Sequence, residues 1–240
     1  MEDASTPISA SKQQERASRI LDAGAELLLR WGYKRVTIDD IARQTGIGTG
    51  TIYLHWKTKG DLFESVMLRE AVAVWRELLE RIRSDPEEVL LHRVMHSMLL
   101  ITRQRPLARA LFSRDVDLLG KLTQGSLMSQ ARQMMPSQEF LALLRSLGLL
   151  REDMSLAAQA YAFSATVTGF SVVDPFLEKE NELSLEEKAE AMARTIRSAF
   201  EPEILPSRAV LQEKVVPQMI QLLEQVSDAC EQQIQKRMVS

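Results

Sequence analysis

A single cysteine, Cys230, excludes an internal disulfide and suits a reducing, cytoplasmic setting. Glycine and proline are scarce, ten and eight in 240 residues, and β-branched runs are missing, so the composition favours an all-helical protein. Only three histidines occur. No Ser/His/Asp or Cys/His set, no phosphate-cradling glycine loop and no acidic metal cluster stands out, so neither an enzyme nor a cofactor or metal site is expected. Residues 1–13 are polar and acidic without the pattern of a signal peptide, and are expected to form a disordered lead-in. The run from Met154 to Val173 carries no charge over twenty residues, which invites a membrane reading. It is rich in Ala, Ser and Thr and includes Gln159, so a helix buried on most sides within a soluble bundle is the better expectation.

The informative stretch runs from Thr37 to Lys59. Thr37 with Asp40 three residues on forms a capping box, and Ile38, Ile41 and Ala42 make a narrow apolar stripe. Gly46 suits the left-handed conformation that stops a helix. Ile47 and Gly48 fill the turn, and Thr49 is expected to cap a second helix. On that helix Ile52 and Trp56 share the inward face, Thr51 and His55 one flank, and Thr49 and Tyr53 the other. Gly50 and Leu54 point away from the core, where a missing side chain lets the backbone approach another surface closely. Thr58, Lys59, Gly60 and Asp61 form another capped helix start, with Lys59 at a helix N-terminus that would welcome a phosphate. Two short helices and a tight turn are what lays a helix into the major groove of DNA.

Residues 16–68 resemble the DNA-binding domain of the tetracycline-repressor-like family of one-component transcription regulators. The run from Arg19 to Leu27 with Trp31-Gly32-Tyr33 is similar to that family's first helix. Thr37 to Ala42 resembles its second helix, and Gly50 to Lys59 with Asp61-Leu62-Phe63 its recognition helix and the start of its connecting helix. Trp56 replaces the usual Phe and keeps its packing role, and Gly60 replaces a common Glu. The resemblance implies an all-α protein with a helix-turn-helix domain at residues 14–60 and an effector-binding and dimerising helical bundle at 61–201; residues 202–240 run past the usual family core and are expected to form an extra helical tail, packed on its own or a partner subunit or else a peripheral appendage. It also implies that Thr37 and Thr49 contact phosphates or base edges and that Gly50 and Thr51 lie nearest the groove floor. Tyr53 would reach a phosphate or thymine methyl, while His55 and Lys59 would hold the backbone, with Arg43 and Lys57 beside them. No Arg, Asn or Gln stands on the recognition helix, so thymine methyls, nearby Arg35 or Arg43, or DNA shape would supply specificity.

The net charge of −3 conceals a basic face. Between Arg30 and Lys59 six basic residues oppose two acidic ones, leaving the rest of the chain at −7. Local positive charge supplies the counterion-release term, and the acidic remainder limits indiscriminate binding. Beyond the DNA-binding unit, helices are expected at about 58–83, up to Gln104, from Pro106 to Ser113, at 115–135, 139–147, 154–177 and 184–200, and at 206–237 with a bend at Pro217. The expected partners are a palindromic double-stranded operator, a second copy of the chain and a small-molecule effector, with no membrane. The family seam would use 154–177 and 184–200, where Ala157, Ala160, Ser164 and Gly169 permit close approach. Met95, Met98, Phe112, Met128, Phe163 and Phe170, with Thr166 or Gln130 as polar fixers, are candidates for an effector pocket, and each serves equally as ordinary core. His92 and His96 have a chelating i, i+4 spacing without a third ligand. Arg103, Arg105 and Arg109 are expected to form a solvated basic face. Repression released by a hydrophobic effector is the reading this supports; the alternatives are an enzyme with an appended DNA-binding motif and a constitutive architectural protein.

Overall fold

A computed structural model describes residues 6–113, 115–124, 138–177 and 183–238, the side chains of 6–11, 112, 113 and 124 lying outside that description. Eleven helices are used below. They are α1 (Thr6–Arg35), α2 (Ile38–Thr45), α3 (Thr49–His55), α4 (Lys59–Ser84), α5 (Leu91–Gln104), α6 (Pro106–Ser113), α7 (Val116–Leu119), α8 (Gln138–Ser146), α9 (Leu156–Val172), α10 (Leu185–Phe200) and α11 (Val216–Arg237). Among the described residues there is no β-strand, and the fold is all-α as the composition predicts.

Local sequence explains most helix boundaries. Thr37, Thr58 and Ser184 each close a capping box with the acidic residue three positions on, Asp40, Asp61 and Glu187. Gly46 ends α2 with φ 67°, and Gly32 interrupts α1 with φ 73°, a conformation that costs a residue with a Cβ. At Pro217 the missing N–H removes one helical bond. The chain answers with a π-turn at Leu211–Val215, in which the Val216 amide donates to Leu211 five residues back.

Several expectations are corrected. The lead-in is helical from Thr6 onward, since α1 extends back through it. The helix expected at 115–135 lasts only from Val116 to Leu119 before Gly120 turns it into a 3₁₀ segment, Gly120–Gln124; 125–135 lies outside the described residues. The charge-free run forms α9, in which Gln159 and Phe163 are buried but Ala157, Tyr161, Ala165, Thr168 and Val172 are exposed. It is therefore not covered on most sides within one protomer. Among the described residues no helix is long and apolar enough to cross a membrane.

Two apolar clusters organise the chain. One joins Ile20, Leu28, Ile41, Ile52, Trp56 and Phe63 with Leu107, Leu111 and Leu119 from α6 and α7. The other joins Leu78, Ile82, Val89, Ile101, Leu144, Phe163, Ile196 and Phe200. Helix α4 passes through both, so it is one physical link between the amino-terminal unit and the bundle. Helix α11 packs along α4 of the same chain, so the tail is an integral part of the protomer.

Candidate nucleic-acid interface

The angle between α2 and α3 is held by polar ties laid over apolar contacts. Ile41 and Ile52 have no exposed surface and Trp56 retains 1%. Burying three such side chains is worth several kcal/mol, roughly 2 each. The Trp56 indole Nε1 donates to Ser65 Oγ at 3.0 Å, so the end of α3 is anchored on α4. The Thr49 hydroxyl donates to Asp39 Oδ1 at 2.9 Å, joining the start of α3 to α2. Arg19 donates to the Thr45 carbonyl at 2.8 Å and Gln44 to Glu26 at 2.6 Å, joining α2 to α1. Helix α3 is thus tied to α2 and α4, and α2 to α1, at four polar contacts.

What remains outward on α3 is Gly50, Tyr53 and Leu54, with Thr51 half-buried; Leu54 is 71% and Tyr53 48% exposed. Gly50 has no internal reason to be glycine. Its φ is unremarkable, and a Cβ built there meets no atom within 4 Å. Lys34, Arg35 and Lys57 are exposed, as is Arg43, whose one ion pair among the described residues is a 3.4 Å contact with Asp40. Arg43, Gly50, Tyr53 and Lys57 are therefore open to solvent, and Thr51 partly so.

Four of the expected contacts are placed otherwise. His55 is 3% exposed, with its ring 5.5 Å from that of Trp56, and Nδ1 finds no hydrogen-bond partner among the described residues. Burial, reinforced by the charge of Arg16, pulls the imidazole below its ordinary value, so it is a neutral packing residue and not a phosphate ligand. His55 lies three positions after the buried Ile52 and so at the edge of the same inward face of α3. The Lys59 ammonium turns inward, 4.4 Å from the centre of the Tyr33 ring and 2.5 Å from the Tyr33 carbonyl; burial lowers its pKa. The Thr37 hydroxyl gives its proton to Asp40 Oδ2 at 2.6 Å, and that bond is the main reason the Asp40 carboxyl is held below its usual range. Thr49 gives its proton to Asp39 and is not the cap of α3; Gly48 holds that position without a side-chain bond. Arg16 was not assigned from sequence, yet its charge acts on the His55 ring; an exposed basic residue on α1 carries no local signal for that neighbourhood.

Four of the effector candidates belong to the bundle core or pack against it. Met95 and Met98 are buried in the bundle core, and Phe163 has no exposed surface and meets Phe200 edge-on at 5.5 Å. Phe170 is half-buried against the same core, and the Thr166 hydroxyl donates to the Ala162 carbonyl within its own helix. Met128 and Gln130 lie outside the described residues, as does the side chain of Phe112. His92 and His96 do not converge: His92 Nδ1 lies 2.8 Å from the fully buried Glu201, His96 Nε2 3.3 Å from Glu186. Arg103 and Arg105 are neutralised, by Asp174 and by Glu70 with Glu77, so the expected basic face is reduced to Arg109.

The family model described as "Bacterial regulatory proteins, tetR family" matches residues 20–66. The HTH-type transcriptional regulator YhgD of Bacillus subtilis is 28% identical over 107 residues, covering 43% of this chain and 55% of its own length. The HTH-type transcriptional repressor KstR of Rhodococcus jostii is 28% identical over 148 residues, 58% of this chain and 70% of that protein. Among solved structures, the Bacillus subtilis regulator FadR in complex with stearoyl-CoA superposes with a TM-score of 0.54 at 16% identity, covering 75% of this chain and 96% of that one. The match to YhgD thus spans little more than half of that relative, and the structural likeness concerns the fold.

Proposed function

Since the chain belongs to the tetR family of bacterial regulatory proteins, we propose that it is a dimeric transcriptional repressor that leaves its operator when a small hydrophobic effector binds the helical bundle. The observation that carries the reading is the division of α3, with Ile52 and Trp56 locked into the core and Gly50, Thr51, Tyr53 and Leu54 turned outward beside Lys57 and Arg43. One short helix reads few base pairs, so two copies on a two-fold axis are needed, about 34 Å apart for adjacent major grooves. The exposed face of α9 supports that partner. Tyr161, Ala165, Thr168 and Val172 line it without a charge, and Ala157 and Gly169 stand exposed on the same helix, while Ala160 and Ser164 are half-buried.

The proposed switch works through α4, which carries the capped start beside the recognition helix at one end and bundle core at the other. An effector releases DNA only if it favours a tilt of α4 that spoils the spacing of the two recognition helices. Binding-site selection with the intact protein on random duplexes tests the reading. A palindrome with half-sites one helical turn apart is the expected product; recovery of no preferred sequence at low ionic strength would refute it.

A further inference from the structure

Like α4, helix α11 feeds both apolar clusters. Met219 and Leu223 belong to the bundle core, whereas Cys230 is buried in the amino-terminal cluster, with Ile234 and Met238 packed against it. The ion pairs run in reverse order along the two helices, Arg83 with Glu224 at 2.9 Å, Arg76 with Glu231 at 2.5 Å, and Glu64 with Arg237 at 2.6 Å, so the packing is antiparallel. The first two pairs are largely exposed and contribute little. The third differs: Glu64 and Arg237 are 18% and 12% exposed, and Nε and Nη2 both reach Oε2, at 2.9 and 2.6 Å. Gln233 takes the remaining face of the guanidinium through its carbonyl and its side-chain oxygen. One residue further, Met238 forms an antiparallel backbone bridge with Trp56, the residue that ends α3 and whose indole is tied to Ser65 of α4. The end of the chain, the end of the recognition helix and the start of the connecting helix therefore meet in one knot.

We infer that Glu64, Arg237 and Met238 are positioning residues that brace the recognition helix from the far end of the chain. With this brace closed, α3 and the first turns of α4 move as one body with α11, so a tilt of α4 reaches α3 only by carrying α11 along or by opening the Glu64–Arg237 pair. The role in DNA recognition rests on the function proposed above; the brace itself is a claim about local stability.

Amide hydrogen exchange on the intact protein separates the two. Arg237→Glu and Glu64→Arg are each expected to quicken exchange at 49–56 by about tenfold while leaving 91–104 unchanged, and the double reversal to restore it to within about twofold. Unchanged exchange at 49–56, equal acceleration in both segments, or a double variant no better than the singles overturns the brace. The same variants are then titrated with the duplex selected by the wild-type protein. A parallel loss and rescue of affinity is expected, and full affinity in an exchange-labile single variant overturns the positioning role. Failure to select any duplex would refute the DNA-binding function, with the exchange data still deciding the brace.

Discussion

His55 and Tyr53 stand two positions apart on α3 and have opposite assignments. The Tyr53 ring is half out in solvent, so truncation to Ala is expected to weaken operator binding with little change in unfolding midpoint. His55 is buried and neutral, with its folded pKa depressed by desolvation first and by Arg16 second. The unfolded imidazole takes up a proton near its ordinary value of 6.5, before the folded one does. Stability is therefore complete above that value and is lost as pH falls below it toward the depressed folded value. His55→Gln is expected to flatten this part of the curve of unfolding midpoint against pH between about 7 and 5. An unaltered acid slope would contradict the assignment. Cys230 is likewise a packing residue; burial pushes its thiol up to about 11, so it is expected to react slowly with alkylating reagents in the folded protein.

At the scale of elements, the capping boxes set where helices begin. Thr37→Ala removes the bond to the Asp40 amide and the hydroxyl's bond to the Asp40 carboxylate, which keeps the backbone amide of residue 37 and Arg43. A loss of about 1 kcal/mol is expected in chemical denaturation; no loss would mean that the interface with α1 and α3 alone fixes α2. These starts were legible in the sequence because the chemistry spans four residues, as were the stop at Gly46 and the inward pair Ile52 and Trp56. The break after Leu119 was not. Gly120 turns there with φ 52° because the chain packs on Tyr33, and a Cβ at Gly120 would lie 3.2 Å from that ring. That contact joins residues 87 positions apart in the chain, so no local pattern announces it. The inward turn of Lys59 has the same origin, since its partner is also Tyr33.

For the molecule as a whole, the sequence showed a tail without showing where it lies, because an amphipathic helix specifies that it packs and not against what. The Glu64–Arg237 pair and the bridge from Met238 to Trp56 supply that answer, at sequence separations no periodicity can register. The exposed apolar face of α9 makes a further prediction. Tyr161, 79% exposed, lies on the proposed seam. Sedimentation should show a dimer for the native chain and a monomer for Tyr161→Arg, with helical content and unfolding midpoint of the protomer retained; a dimer in both would move the interface elsewhere.

The most direct test concerns Gly50, where the fold leaves open space. Gly50→Glu projects a carboxylate from the outward face of α3 without a clash inside the protein. Affinity for the selected duplex is expected to fall by about a hundredfold, while the thermal midpoint stays at or above that of the native chain. Native affinity in this variant would show that α3 does not enter the groove.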